Sequence, residues 1–162
     1  MCRPQSNSPW CAANRPRDCH PLLLTTGRIL SQYNVGAQTR RTENVVWHGE
    51  DVLELHPADA EERGIRTGDV VTLASRVGAT TLHALVTDRM AQGVVYTTFH
   101  HPVSGANVVT TENSDWATNC PEYKVTAVEV RRTNYFSEWQ ERNLEEEISL
   151  RKIAQQLPTA AE

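Results

Sequence analysis

The chain has 162 residues, of which 39% are hydrophobic and 22% are charged, with a net charge of −4 and a pI near 5.9. This length suits one domain with a single core, and the acidic balance argues against a nucleic-acid-binding surface. No apolar run approaches the ~20 residues that cross a bilayer, and the first residues do not form a secretory signal. We therefore expect a soluble, cytoplasmic protein that binds neither nucleic acid nor membrane.

Residues 1–20 contain three prolines and no hydrophobic period, which predicts a disordered segment. Three of the four cysteines, Cys2, Cys11 and Cys19, lie in this segment, next to His20. A metal site could be built from them, but their irregular gaps match no zinc or redox motif. Scattered reduced thiols are the simpler interpretation, and we assign no metal ligand.

Short apolar runs separated by glycine and proline predict strands in the next hundred residues. The runs are Leu22–Thr26, Asp51–His56, Val70–Ser75, Thr80–Thr87, Gly93–Phe99 and Tyr123–Val130. The tight turn at residues 76–79 predicts that the third and fourth strands form a hairpin. Five or six short strands with one small helix indicate a mostly β barrel.

The small helix is predicted at residues 58–63, because Pro57 suits a first helical turn. Gly64 can end this helix in a left-handed conformation. Asp59 and Asp69 are expected to serve the helix start and the following turn.

Residues 133–162 read as a helical tail. Ser137 and Gln140 form a capping box, and the pattern predicts a helix to about Leu157. Its apolar residues do not make one stripe, so we expect the helix to lie loosely on the barrel or against another subunit.

Two polar loops are typical of ligand-binding loops on a β scaffold. The first, from Gly27 to Thr42, carries three arginines and two glycines, where a phosphorylated ligand could lie against backbone. The second, from His100 to Lys124, is about 25 residues long with little hydrophobic pattern. A loop this long needs a function or a partner to order it, so we expect it to be mobile until a ligand binds near Asn107 and Thr110.

The chain resembles the C-terminal domain of the molybdopterin oxidoreductases, most closely the catalytic subunit of soluble, NAD-dependent formate dehydrogenases. The resemblance covers residues 21–132 and rests on Leu24–Arg28, Asn34–Arg41, Pro57–Ala60, Gly64–Ile65, Gly68–Asp69, Ser75–Gly78, His100–His101, Asn107, Thr110, Asp115 and Pro121–Lys124. It implies a double-psi β-barrel, like that of aspartate decarboxylase. In that family the domain grips two molybdopterin guanine dinucleotides, whose molybdenum or tungsten is held by other domains.

The resemblance implies that residues of both loops bind this cofactor. Gly27 and Gly36 would let phosphates approach the backbone, and the arginines would supply guanidinium groups. Amide and hydroxyl groups would pair with the guanine and pterin edges. The predicted cofactor-binding residues are Thr26, Gly27, Arg28, Gly36, Gln38, Thr39, Arg40, Arg41, His100, His101, Asn107, Thr110, Tyr123 and Lys124.

Some of these residues also have structural interpretations that need no cofactor. His100–His101 could be hydrogen-bonded structural residues, and Arg40–Arg41 could be a solvated pair. Trp47, Trp116 and Tyr123 are better explained as core packing than as stacking platforms, because a core with only two Phe needs other large aromatics.

The family's iron–sulfur domain and its cysteine or selenocysteine metal ligand precede this domain, and the chain does not contain them. We therefore assign no catalytic residue and expect a detached terminal domain, a split-gene product or a truncated frame. It would work with the remaining domains or subunits of a formate dehydrogenase, which converts formate to CO2 and passes electrons to NAD.

Two alternatives remain. The chain could be an assembly module that keeps the barrel without binding cofactor. An independent enzyme such as a decarboxylase is disfavoured, because the sequence has no self-processing Gly-Ser site.

Overall fold

The computed structural model describes residues 20–143 and residue 145, except for the side chains of Arg40 and Val45. Its strands are β1 (Leu22–Gly27), β2 (Val52–Leu55), β3 (Val70–Ala74), β4 (Ala79–Val86), β5 (Val94–Thr98) and β6 (Thr126–Arg132). They close into a barrel in the order β1-β5-β2-β4-β3-β6, which confirms the predicted fold class. Helix α1 spans Pro57–Arg63, and residues 138–143 begin a C-terminal helix. Short 3-10 turns lie at Thr39–Arg41, Glu43–Val46, Pro102–Ser104 and Ala106–Val109.

The barrel interior is filled by aliphatic side chains from alternate strand positions. In β1, for example, Leu22, Leu24 and Thr26 are buried while the residues between them are only partly buried. This period of two is what a strand with one face toward a core requires. Among the described residues, no helix is long and apolar enough to span a membrane.

The strand pairing defines two ends of the barrel. β1 and β5 run parallel with Gly27 opposite Thr98, so both strands finish at the same end. β2 and β6 run antiparallel to them and begin at that end, and the β3–β4 turn at residues 75–78 also lies there. We call this end the rim. The opposite end, which we call the base, carries α1 and residues 64–69 and 87–93.

The base follows the sequence predictions. Gly64 has φ of 63° at the end of α1, and its N–H and that of Ile65 both donate to the Ala60 carbonyl. The Asp69 carboxylate accepts from the Arg66 N–H at 2.9 Å within the predicted turn. Asp59 lies in the first turn of α1, but the side chain that caps the helix is His56, whose Nδ1 accepts from the Ala58 N–H at 3.1 Å. The buried Asp59 carboxylate accepts instead from the Gly93 N–H at 2.7 Å. The hairpin of β3 and β4 is also confirmed.

The C-terminal helix begins as predicted but is not loosely attached at this point. The Ser137 N–H donates to Gln140 Oε1 at 3.2 Å, and the Gln140 N–H donates to Ser137 Oγ at 3.3 Å, which completes the capping box. Gln140 is buried and donates from Nε2 to the Thr81 carbonyl at 2.8 Å. The rest of the predicted helix, to Leu157, lies outside the described residues, as do residues 1–19.

The expectation that Trp47 and Trp116 pack in the core is wrong. Their exposed fractions are 68% and 96%, respectively. Both belong to loops outside the barrel, and six short strands leave an interior that is filled by Leu, Val, Ile and Ala without large aromatic rings. Tyr123 is half-buried and packs edge-on against Phe99, with ring centres 6.4 Å apart.

Candidate functional site at the rim

The two polar loops meet at the rim through His100. Its ring is fully buried, with Nε2 accepting from the Ile29 N–H at 3.2 Å and Nδ1 bonded to the Asn34 carbonyl. Both ring nitrogens are therefore engaged by backbone. The structure thus gives His100 the simpler, structural role, in which it fastens the first loop to the end of β5.

Arg28 lies beside this contact. Its guanidinium donates to the Asn34 side-chain oxygen at 3.1 Å and remains exposed. Its carbonyl accepts from the Tyr96 hydroxyl at 3.2 Å. A Cβ added to Gly27 would lie 2.5 Å from that tyrosine, so the absence of a side chain at Gly27 makes room for the Tyr96 ring.

Thr26, Tyr123 and Lys124 bind one another. The Thr26 hydroxyl donates to the Tyr123 carbonyl at 2.7 Å, and Lys124 Nζ donates to the Thr26 carbonyl at 2.6 Å. Lys124 Nζ also lies 5.3 Å from the centre of the Tyr123 ring. These contacts tie the end of β1 to the last loop, and β6 begins at Thr126 rather than at Tyr123 as the sequence predicted.

The rest of the first loop folds around Thr39. The Thr39 hydroxyl accepts from the Tyr33 N–H at 3.1 Å and donates to Gln32 Oε1 at 2.6 Å. Gln32 is buried, and its Nε2 has no hydrogen-bond partner among the described residues. Gly36 is buried with φ of 70°, a conformation that favours glycine.

The outward side of the first loop is polar and cationic. Gln38 and Arg41 are exposed, while the side chain of Arg40 lies outside the described residues. Three arginines are the only charged residues between Gly27 and Thr42. This part of the rim can therefore attract an anion without a neighbouring carboxylate in the same loop.

Asp51, which was not among the predicted site residues, organises the second loop. It accepts hydrogen bonds from the His100 N–H (3.2 Å), the His101 N–H (2.9 Å), His101 Nδ1 (3.1 Å), the Ser104 hydroxyl (2.6 Å) and the Thr98 hydroxyl. Burial by itself would raise the pKa of this carboxyl, but the hydrogen bonds from Ser104, Thr98 and His101 outweigh it and lower the pKa. Asp51 is thus a buried carboxylate that fixes the turn after β5.

His101 points one nitrogen away from Asp51. Its Nε2 is buried and has no partner within the described part of the chain. Because Nδ1 lies 3.1 Å from the Asp51 carboxylate, Nδ1 carries a proton, and in the neutral tautomer Nε2 then has a free lone pair. His101 and Asn107 line a cavity of about 420 Å³ with Val35, Phe99 and Trp139, which we call the rim cavity.

The second loop contains regular structure, in contrast to the expectation of little internal structure. Two 3-10 turns meet at Gly105, whose φ is 56°. Thr110 closes the second turn, and its hydroxyl donates to the Asn107 carbonyl at 2.9 Å. Thr110 thus shapes the loop, while the Asn107 side chain is exposed beside the rim cavity.

Comparison with known proteins identifies the class. The family model described as "Molydopterin dinucleotide binding domain" matches residues 22–127, more than half of the chain. The chain belongs to the molybdopterin dinucleotide binding domain family. This confirms the family expected from the sequence.

The chain is also similar to alpha subunits of formate dehydrogenases. The chain is 38% identical over 114 residues to F420-dependent formate dehydrogenase 1 subunit alpha of Methanococcus maripaludis, covering 70% of this chain and 17% of that protein. It is 39% identical over 121 residues to F420-dependent formate dehydrogenase subunit alpha of Methanocaldococcus jannaschii, covering 74% and 18%. The chain thus spans less than a fifth of these relatives. They are F420-dependent, whereas the sequence resemblance pointed to NAD-dependent enzymes.

The fold has a solved counterpart. Acetylene hydratase from Pelobacter acetylenicus superposes with a TM-score of 0.61 at 17% identity, covering 70% of this chain and 18% of that one. At this identity the match supports the barrel fold alone.

The residues at the rim fit a molybdopterin dinucleotide. The first loop offers cationic groups for phosphates, and two buried nitrogens, Gln32 Nε2 and His101 Nε2, lack partners among the described residues. Buried polar atoms without partners are costly, and a ligand with complementary groups would satisfy both. The aromatic side chains of the rim cavity suit a flat ring.

Proposed function

We propose that this chain binds molybdopterin guanine dinucleotide at the rim, as the C-terminal domain of a formate dehydrogenase-like molybdenum or tungsten enzyme. One observation carries this proposal. The His100 ring binds the backbone of Ile29 and Asn34, and so it joins the cationic first loop to the turn after β5 at the rim. Membership of the dinucleotide-binding family supports it. When bound, the cofactor and its metal supply the redox chemistry.

We assign the predicted cofactor-binding residues to two groups. Contact with the cofactor is proposed for Arg28, Gln38, Arg40, Arg41, His101 and Asn107, together with the backbone at Gly36 and the added residue Gln32. Support of the loops is proposed for Thr26, Gly27, Thr39, His100, Thr110, Tyr123 and Lys124, because the contacts described above join these residues to other parts of the chain. The chain's own task is thus to bind and orient the cofactor.

Formate as the substrate, CO2 as the product, NAD or F420 as the electron acceptor and a cytoplasmic location belong to this proposal. The remaining domains or subunits of the enzyme are its proposed partners, since the alpha subunits it resembles are much longer. We expect no formate oxidation by the chain alone, because no residue of it is assigned to hold the metal or to carry electrons.

The test is to purify the chain together with the remaining part of the enzyme from cells that make the cofactor. Guanine nucleotide released by acid and bound molybdenum or tungsten are then measured. Arg28→Ala and Arg41→Ala should each lower both contents, because each removes a charge-assisted contact worth ~1.5–3 kcal/mol. Arg66→Ala is the matched control, since Arg66 is exposed at the base. Unchanged contents in both rim variants would contradict the proposal.

An assembly module without cofactor is the second candidate. It is favoured by exposed large hydrophobic residues at the rim, which in the described part of the chain include Leu30, Tyr33, Val35, Val46, Trp47, Val77, Val103, Trp116 and Val125. Large exposed apolar surfaces mark interaction sites. If this candidate is correct, the complex will form without guanine nucleotide, and Trp47→Ser will weaken the complex while Arg28→Ala will not.

A further inference from the structure

The C-terminal segment contributes a wall to the rim cavity. Residues 137–140 lie beyond the family match, which ends at residue 127. Gln140 fastens this segment to the barrel. Its Oε1 accepts from the Thr81 N–H at 3.0 Å and from the Thr81 hydroxyl, and its Nε2 donates to the carbonyls of Thr81 at 2.8 Å and Val103 at 3.2 Å. A side chain bound at both ends of its amide holds its neighbours in place.

This attachment places Trp139 against the second loop. A Cβ added to Gly105 would lie 2.5 Å from the Trp139 ring, so the indole packs directly on the joint between the two 3-10 turns. Trp139 is only partly buried, and its ring lines the rim cavity together with Phe99. The cavity thus has aromatic surface from a segment that sequence reasoning treated as a loose tail.

The polar groups of the cavity complement this surface. In the neutral tautomer that donates from Nδ1 to Asp51, His101 Nε2 is a hydrogen-bond acceptor, and the exposed Asn107 amide offers both a donor and an acceptor. Aromatic surface beside such an edge suits a flat heterocycle that carries an amine and a carbonyl. Guanine and pterin share this chemistry as a 2-amino-4-oxopyrimidine edge.

We propose, on the basis of the proposed function, that Trp139 is a binding residue for one of the 2-amino-4-oxopyrimidine rings of the dinucleotide. Gln140 is the residue that positions it. The C-terminal segment is then part of the binding site, although it lies outside the matched family range.

The test uses the full 162-residue chain with two separate probes, guanosine 5′-diphosphate and 6-hydroxymethylpterin, in titration calorimetry. Trp139→Ala should weaken binding of at least one probe by roughly tenfold, the usual effect of removing an aromatic contact to a base. Loss of GDP binding alone assigns guanine to the cavity, and loss of pterin binding alone assigns pterin. Trp116→Ala is the matched control, because Trp116 is 96% exposed on the same end of the barrel.

A second measurement keeps the inference testable if Trp139→Ala does not fold. The probe that binds the wild type should change its tryptophan fluorescence, and Trp139→Phe should abolish that change while Trp116→Phe retains it. Equal affinities for the two alanine variants, or an equal fluorescence change in the two phenylalanine variants, would overturn the role of Trp139. A wild-type chain that binds neither probe would contradict the proposed function as well.

Discussion

The two ends of the barrel are built in different ways. At the base, the turns are closed by near neighbours: Gly64 closes α1 onto Ala60, and Asp69 binds the N–H of Arg66, although Asp59 also binds the N–H of Gly93 across 34 positions. At the rim, the contacts that position the loops join distant residues. Thr26 binds Tyr123 across 97 positions, and Asp51 binds Ser104 across 53. The turns of the base can therefore form from local sequence, whereas the loops of the rim are positioned mainly by contacts that require the closed barrel.

This difference matches a division of tasks. Binding sites are commonly loops that a rigid scaffold holds in position, and the loops here carry the arginines and the unpartnered nitrogens. The base carries the tight turns that the barrel needs to close. Changes at the rim should therefore affect both ligand binding and stability, while changes at the base should affect stability alone.

The largest expected effect on stability is that of Asp51→Asn. The substitution removes the charge on which five hydrogen bonds converge, and we expect the free energy of unfolding to fall by about 3 kcal/mol at pH 7. This free energy is measured by urea unfolding that is monitored by circular dichroism. Asp115→Asn is the control, since hydrogen bonds from Thr118 also lower the pKa of Asp115, but this group is fully exposed. An equal loss of unfolding free energy in Asp51→Asn and Asp115→Asn would contradict the role assigned to Asp51.

The loss of stability in Asp51→Asn should also depend on pH. The pKa of Asp51 in the folded chain lies below its ordinary value of 3.8, so its stabilising effect is complete above that value. It is lost as the pH falls through the lower, folded pKa. The stability difference between the wild type and Asp51→Asn should therefore be constant near neutral pH and shrink in acid below the ordinary value. A difference that grows in acid would contradict this assignment.

A smaller effect is expected at the base. Gly64→Ala places a side chain on a residue with φ of 63°, and because a Cβ there would have no atom within 4 Å, only the backbone conformation opposes it. The expected cost is about 1 kcal/mol, with no change in GDP binding. Gly49→Ala is the control, because a Cβ at Gly49 also has no atom within 4 Å and its φ is not in the left-handed region. Weaker GDP binding by Gly64→Ala would contradict the expectation that changes at the base affect stability alone.

The base could be predicted from the sequence because its rules act over a few residues. Pro57 at the helix start and Gly64 at its end each depend on near neighbours. The capping box of Ser137 with Gln140, beside the rim cavity, was predictable for the same reason. The alternation of apolar residues in the strands likewise predicted the barrel.

The rim could be predicted only in part. The arginine-rich first loop and the histidine pair were both singled out from the sequence and both lie at the rim, and the family resemblance suggested their role in binding. No local pattern distinguishes Asp51 from any aspartate before a strand, since its partners lie 47 to 53 positions away. Trp139 was missed for the same reason, because its place depends on Gln140 reaching Thr81 across 59 positions.

The most direct test of the central claim, that the rim binds the cofactor and the base does not, is hydrogen exchange on the complex of this chain with the remaining part of the enzyme. The complex is purified from cells that make the cofactor and from cells that cannot, so that the partner is present in both samples. We predict that the cofactor slows exchange at residues 28–42 and 103–120 and leaves residues 57–69 unchanged. Equal exchange at the rim in both samples, or slower exchange at residues 57–69 when the cofactor is present, would contradict the claim.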